Sequence, residues 1–215
     1  MGKLKLTLTM SLDGYVAGPN QSRENPLGVG GTELHEWAFA TRSFRDQHEL
    51  EGGDETTIDD AYAARWNEHV GATIMGRNMF GPIRGPWGDE EWKGWWGDDP
   101  PYHTPVFVLT HHAREPVEMQ GGTTFHFVTE GIDVALDRAQ EAAGGRDVHV
   151  AGGARAAQQA FAAGRLDQLT VHVAPVLLGS GTRLFENLDG SGVKLEPLPV
   201  PASPAVTHLR YRVVR

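Results

Sequence analysis

Apolar and polar residues alternate at the start of the chain. Leu4, Leu6, Leu8 and Met10 are separated by lysine and threonine residues, which is the period of a strand with one buried face. The alternation ends in Leu-Asp-Gly-Tyr, a turn sequence that contains Asp13. The pattern therefore predicts a first strand followed by a turn that places Asp13 at the edge of a sheet.

The next part of the chain favours loops and short helices. Residues 18–31 are rich in glycine, proline and asparagine, which predicts a mobile loop before a short helix around 33–41. The acidic stretch 49–55 predicts another loop. In 57–69 apolar residues recur at every fourth position behind a threonine suited to capping, so we predict an amphipathic helix.

Strand and helix patterns alternate through the rest of the sequence. A helix is predicted near 131–143 and an alanine-rich one after two glycines at 152–153, while the last strand again alternates apolar with polar residues. The predicted strands are 72–75, 105–110, 123–128, 169–174, 176–178, 193–197 and 205–214, and one more begins at 147 and runs into the two glycines at 152–153. Such interleaving predicts an α/β fold, and the hairpins at the end make its sheet mixed. Without an internal repeat or a convincing boundary, we expect one domain over 1–215.

Residues 81–105 form the largest irregular segment. It is rich in proline and glycine and holds four of the six tryptophans, and long loops of this kind are usually functional or disordered. Two alternatives stay open. The segment is either a lid that stacks on a planar substrate or a contact with a second subunit.

Composition and charge exclude several classes of protein. The 215 residues carry a net charge of −9, which disfavours nucleic acid or an anionic membrane as a partner. The chain has no cysteine, which rules out disulfides and thiolate metal sites. We see neither a secretory signal nor an apolar run approaching the roughly 18 residues that span a bilayer, so we expect a cytoplasmic protein.

Familiar nucleotide and metal motifs are missing from the sequence. No Gly-x-Gly-x-x-Gly follows a strand, and neither a Walker motif nor His-Glu-x-x-His occurs. His111 and His112 are adjacent on a strand end, so their rings point to opposite faces and no metal site is expected. The glycines Gly152 and Gly153, between a strand and a helix, instead suit close approach of a phosphate or merely tight packing.

Three segments, in order, carry a resemblance to a known family. They are Met10-Ser-Leu-Asp-Gly-Tyr-Val-Ala17, Ile74-Met-Gly-Arg-Asn-Met-Phe80, and Val150-Ala-Gly-Gly-Ala154 followed by Leu166-Asp-Gln-Leu-Thr-Val-His-Val-Ala-Pro-Val-Leu-Leu-Gly-Ser-Gly181. The chain resembles the dihydrofolate reductase-like superfamily, in the branch of the C-terminal reductase domain of riboflavin biosynthesis. The resemblance implies a three-layer α/β/α fold with a mixed, mostly parallel sheet and an antiparallel C-terminal hairpin region. It also implies an NADPH-dependent reductase of a small molecule, commonly a homodimer.

The resemblance also implies which residues form the site. Asp13 is the expected active-site acid, which binds or polarises the substrate, although a turn aspartate can simply satisfy local N–H groups. Arg77 offers a bidentate fork to the 2′-phosphate of NADPH, or alternatively forms a surface salt bridge. The expected cofactor-binding residues are Val16, Ala17, Gly76, Arg77, Asn78, Thr110, His111, Gly152, Gly153, Ala154 and Arg155.

The substrate is less well defined than the cofactor. True dihydrofolate reductases hold the pteridine with a helix carboxylate, and Glu33 and Glu36 do not stand in the matching context. A full basic set for a ribose phosphate is not identifiable either. The predicted reaction is hydride transfer to a small heterocyclic or carbonyl compound, and the alternative is a nucleotide-binding dimeric module of the same fold without turnover.

Overall fold

A nine-stranded sheet organises the part of the chain that the computed structural model describes, residues 2–81, 85–88, 91–188 and 192–214. The strands are β1 (Leu4–Ser11), β2 (Tyr15–Ala17), β3 (Val70–Gly76), β4 (Pro105–Leu109), β5 (Val117–Glu118), β6 (Thr124–Val128), β7 (Asp147–Gly152), β8 (Gln168–Ala174), β9 (Thr182–Arg183), β10 (Lys194–Pro197) and β11 (Thr207–Val214). The helices are α1 (Glu36–Phe39), α2 (Arg42–Gln47), α3 (Ile58–Ala64), α4 (Arg77–Phe80), α5 (Ile132–Ala142) and α6 (Ala154–Ala162), with 3-10 turns at Gly31–His35 and Gln120–Gly122.

The sheet is mixed and mostly parallel. Its order is β10-β11-β8-β1-β7-β3-β4-β6-β5, and the six central strands from β8 to β6 run parallel. Strands β11, β10 and β5 add antiparallel edges, and β2 pairs with β9 in a small separate sheet. Because the central strands are parallel, their carboxyl ends lie along one edge, which is where parallel sheets usually bind ligands.

One face of the sheet is mainly apolar. Alternate residues of every central strand point to it, and Leu4, Leu6, Ile74 and Val150 have no exposed surface there. Helices α5 and α6 cover this face with alanine and leucine side chains. Burial of these side chains provides the main hydrophobic stabilisation of the fold.

The opposite face has two apolar clusters and a polar strip between them. One cluster forms around Phe80 and Phe125, and the other forms around Trp37, beneath α1 and α3. The strip, which we call the polar strip, consists of Thr7 and Thr9 on β1, His149 on β7 and His172 on β8. Polar groups on a buried sheet face need hydrogen-bond partners. The polar strip therefore makes this region a candidate binding site rather than part of the apolar core.

Most sequence predictions are confirmed, with differences of local origin. The helix predicted over 57–69 begins as expected, with the Thr57 hydroxyl accepting from the Asp60 N–H at 3.2 Å, but it ends at Ala64. Helix α2 is not in the prediction. No strand forms at 176–178, because this backbone bends into a loop that Asp13 holds.

The tryptophan-rich segment is packed against the molecule itself. Trp87, Trp92 and Trp96 lie on the Phe80–Phe125 cluster, and the Trp92 indole donates to the Phe80 carbonyl at 2.9 Å. Residues 82–84 and 89–90 of the segment lie outside the described residues. Among the helices that the structure describes, none has the length and apolarity required to cross a bilayer.

Candidate functional site

A cleft of about 1050 Å³ opens at the carboxyl edge of the parallel strands. It runs from the ends of β3, β4, β6 and β7 across the polar strip to α1 and α2. Every residue that the sequence predicts to bind the cofactor lies on its lining, namely Val16, Ala17, Gly76, Arg77, Asn78, Thr110, His111, Gly152, Gly153, Ala154 and Arg155. Segments that are up to 139 positions apart in the chain are thus brought together as one surface.

The start of α6 is the best-defined part of the cleft. Gly153 is its N-cap, and no side chain caps the helix, so its first N–H groups are left for a ligand. Gly152 has φ +144°, a conformation that glycine adopts without strain. A Cβ atom at Gly153 would meet no protein atom within 4 Å, although the residue lies on the cleft wall. This is the space that a diphosphate would need.

Arg77 lies on the same side of the cleft. Its guanidinium stacks over the Trp87 ring, 3.1 Å from the ring centroid, and Arg114 lies on the same indole at 4.9 Å. The Trp87 indole in turn donates to the carbonyl of His112 at 2.8 Å. Arg77 is therefore held by an aromatic stack at the cleft wall.

Thr110 lines the cleft and also forms a hydrogen bond within the turn after β4. Its hydroxyl accepts from the His112 N–H at 3.2 Å, which closes the turn after β4. The turn sets His111 at the cleft surface. We call this side, from β3 to α6, the cofactor half.

The other side of the cleft has a different character. Its floor is the polar strip, and its walls include the aromatic side chains of Phe39, Phe44 and Trp66. We call it the substrate half. Among the described residues that line the whole cleft there is no lysine, and the arginines are Arg77 and Arg155, both in the cofactor half.

Three histidines in the substrate half have lowered pKa values. Burial lowers the pKa of His35 to about 4, and burial together with the nearby Lys5 charge lowers the pKa of His149 to about 4. Burial lowers the pKa of His172 well below its ordinary value, with smaller contributions from His208 and His35. Neutral imidazoles both donate and accept hydrogen bonds, so this half suits an uncharged polar ligand.

Sequence analysis does not single out these histidines. His149 and His172 sit inside apolar strands, in Asp-Val-His-Val and Thr-Val-His-Val. Strand alternation puts each histidine on the face opposite to its valine neighbours. That parity was a usable signal for a polar face, but which strands would be neighbours is not visible in the sequence.

Asp13 lies outside the cleft lining. Its carboxylate accepts from the Ser11 hydroxyl at 2.6 Å and from the N–H groups of Gly179 at 2.7 Å and Leu178 at 3.1 Å. These hydrogen bonds lower the pKa of Asp13, and the bond from Ser11 has the largest effect. The structure thus uses Asp13 to hold the loop after β8, and its catalytic role stays a prediction. Glu33 and Glu36 do not line the cleft either.

Within the described residues, no group of three or more histidine, aspartate or glutamate side chains is placed to hold a metal ion. The residues of the cleft instead fit a dinucleotide, since they offer an open glycine cradle, a helix N-terminus and an arginine.

Comparison with known proteins agrees with this geometry. No curated protein matches the sequence. A riboflavin-biosynthesis protein from Shewanella sp. PV-4 has a similar structure, with 19% identity, a TM-score of 0.63 and 100% of both chains covered. Riboflavin biosynthesis reductase from Saccharomyces cerevisiae is 17% identical, with a TM-score of 0.51 and coverage of 100% of this chain and 89% of its own.

A second kind of neighbour has the same fold. Dihydrofolate reductase from Enterococcus faecalis, in complex with NADP(H), is 13% identical, with a TM-score of 0.51 and coverage of 99% of this chain and 95% of its own. These neighbours show the dihydrofolate reductase-like fold. The family model of the RibD C-terminal domain matches residues 2–208. The chain therefore belongs to the family of the RibD C-terminal domain, a family of reductases.

Proposed function

We propose that this protein is an NADPH-dependent reductase that transfers hydride to a small, uncharged heterocyclic or carbonyl compound. The observation that carries the proposal is the glycine cradle at the start of α6, where Gly153 leaves space beside free N–H groups. The family is one of reductases, and a structural neighbour holds NADP(H). Both support a nicotinamide cofactor in this cleft.

Different residues of the cofactor half would bind different parts of NADPH. Gly152, Gly153 and the first turn of α6 would hold the diphosphate, and Arg77 would meet the 2′-phosphate. When bound, the dihydronicotinamide supplies the hydride. The protein has to orient the two reactants and exclude water, which the buried floor of the substrate half is suited to do.

The lining of the substrate half supports an uncharged substrate. A phosphorylated compound needs arginine, lysine or a helix N-terminus to balance its charge. In the described part of this half no lysine or arginine lines the cleft, and its floor is made of threonine and neutral histidine. We therefore propose a planar substrate without a phosphate, held between the aromatic walls.

The substitution Gly153→Ala tests the cofactor site. Its methyl group meets no protein atom within 4 Å apart from its chain neighbours, but it enters the proposed diphosphate space. We expect NADPH affinity, measured by tryptophan fluorescence quenching, to fall at least about tenfold, or about 1.4 kcal/mol. Gly88→Ala is the matched control, because a Cβ atom there is equally unobstructed and Gly88 does not line the cleft. Equal affinities in all three proteins would refute the cradle.

Turnover is tested with a defined panel of oxidants. NADPH oxidation is followed by absorbance with dihydrofolate, 4-nitrobenzaldehyde, and an aminopyrimidine ribonucleoside with and without its 5′-phosphate. We expect an uncharged member to be reduced. NADPH binding without oxidation of NADPH across the panel would favour the alternative, a nucleotide-binding module that has lost turnover. The expected homodimer and cytoplasmic location stay predictions.

A further inference from the structure

A buried chain of three ionisable side chains leads into the substrate half. Nδ1 of His172 lies 2.6 Å from Nδ1 of His208, and Nε2 of His208 lies 2.8 Å from Oδ1 of Asp59. The three residues come from β8, β11 and α3. His172 and His208 are direct partners in the antiparallel pairing of β8 with β11, so sheet register fixes their contact.

Aromatic packing fixes the orientation of both imidazoles. The Tyr62 ring stacks on His208 with a centroid distance of 3.8 Å, and the Trp37 ring lies 4.6 Å from His172. Neither histidine side chain has room to turn, because His172 has no exposed surface and His208 has 4%. A held pair of this kind keeps its hydrogen-bond order and can change only by moving protons.

The far nitrogen of His172 has no hydrogen-bond partner among the described residues. Nε2 is buried, and His172 forms part of the cleft floor beside Thr9, its pairing partner on β1. A buried polar atom without a partner is rare in proteins and calls for an explanation such as a ligand. His172 thus brings to the cleft floor a buried ring nitrogen that needs a polar partner.

The hydrogen bonds restrict where protons can reside. One proton occupies the short contact between the two Nδ1 atoms, and Nε2 of His208 donates to the Asp59 carboxylate. Without an extra proton, His172 donates from Nδ1 and its Nε2 carries a lone pair. With one extra proton, His208 is the imidazolium beside Asp59, and Nε2 of His172 carries a hydrogen. One proton therefore converts Nε2 from an acceptor into a donor.

We propose, on the basis of the proposed function, that His172 donates the proton that accompanies hydride transfer, while His208 and Asp59 position it and hold the charge. The substrate carbon of a C=O or C=N bond accepts hydride with its electron pair from the dihydronicotinamide, which is oxidised. The π pair moves to the oxygen or nitrogen, which takes the proton from Nε2 of His172. The shared proton then shifts from Nδ1 of His208 to Nδ1 of His172, which leaves the pair neutral, and a proton from solvent later restores the protonated pair.

The surroundings favour placing the charge on His208. Burial lowers the pKa of His208, but the hydrogen bond and charge of Asp59 raise it. His172 lacks such a carboxylate and faces His35 from the 3-10 turn at Gly31–His35, which further disfavours a charge on it. From α3 it faces Tyr62, and from β1 it faces Thr9. The positive charge is therefore held one residue away from the reacting atom.

Nitrogen NMR of ring-labelled histidine tests this assignment without cofactor or substrate. As the pH falls from about 8 to about 5, the range in which histidine switches occur, Nε2 of His172 should gain a hydrogen while its Nδ1 loses one. His208 should become doubly protonated in the same step. In Asp59→Asn the step should move to lower pH, because the imidazolium loses its counter-charge. A His172 tautomer that is constant over this range would overturn the proposal.

A kinetic measurement separates a proton donor from a packing residue. For the panel compound that the wild-type protein reduces, His172→Gln should lower kcat about 10²- to 10⁴-fold with NADPH affinity unchanged. In Asp59→Asn the loss of activity with rising pH should move to lower pH together with the NMR step. His69→Gln, an exposed histidine outside the cleft, is the control. Unchanged kcat in His172→Gln would refute the donor, whereas a flat NADPH titration with a normal tautomer step would count against the proposed function itself.

Discussion

Arg77 shows how one side chain can serve the protein and a ligand from the same place. Its planar guanidinium stacks on Trp87, a contact worth about 0.5–2 kcal/mol in proteins, and it lies on the cleft wall. The edges of a stacked guanidinium are still able to donate to phosphate oxygens. The sequence context predicts the arginine, but Trp87 comes from a segment whose path could not be predicted.

The substitution Arg77→Ala tests the 2′-phosphate contact. We expect NADPH binding to weaken by about 1–3 kcal/mol, the range for a hydrogen bond to a charged group, and NADH binding to stay nearly the same. Both affinities are measured by fluorescence titration. Arg77→Lys, which keeps the charge but loses the fork, should fall between wild type and Arg77→Ala. Equal losses for NADPH and NADH would refute the assignment.

At the scale of elements, the loop after β8 is shaped by the turn after β1. Asp13 accepts the N–H groups of Leu178 and Gly179, and Arg183 donates to the Asp13 carbonyl at 3.1 Å. This explains why residues 176–178 form no strand although their composition favours one. The Asp13 side chain, more than 160 positions away along the chain, accepts the Leu178 N–H, while Val176 bonds to the backbone of Leu12 and Ala174.

Replacing Asp13 by asparagine should loosen this loop without unfolding the protein. An amide oxygen is a weaker acceptor than a carboxylate, so the amide hydrogens of Leu178 and Gly179 should exchange faster with solvent. NADPH affinity should not change, because Asp13 does not line the cleft. Exchange rates equal to those of the wild-type protein would contradict the proposed role, and loss of substrate reduction alone would restore Asp13 as the catalytic acid.

The elements themselves are largely predictable, but their contacts are not. Alternation in β1 and β11 and the capping threonine of α3 are local signals, and each predicts its element within a few residues. The contact of His172 with His208 and Asp59 depends on sheet order and on where α3 packs. Pairing across such distances is a property of the tertiary structure, which explains why the floor of the substrate half could not be predicted.

At the scale of the whole molecule, buried neutral histidines make stability depend on pH. Burial and the nearby Lys5 charge lower the pKa of His149 to about 4 in the folded protein, against about 6.5 when unfolded. Below the pKa of His149 in the unfolded chain, the unfolded chain binds more protons than the folded protein. The free energy of unfolding therefore falls as the pH drops from neutral toward 4. His35 acts in the same direction.

The substitution His149→Gln isolates this contribution. Between pH 7 and pH 5 the wild-type free energy of unfolding should fall by about 2 kcal/mol more than that of His149→Gln, from the pKa difference. Urea unfolding at the two pH values measures it. Parallel losses in the two proteins would show that His149 does not carry the effect. The assignment of residues 1–215 to a single domain stays a prediction.

The pairing of β11 with β8 has a consequence for the order in which the protein is made. His208 lies on the last described strand, yet it completes a chain that starts at Asp59 and ends beneath the cleft. On the ribosome, β3, β4, β7 and α6 are synthesised earlier, and the segments that form the cofactor half are complete once residue 162 has emerged. The proposed supply of protons is therefore complete only after β11 has been synthesised, later than the segments from β3 to α6.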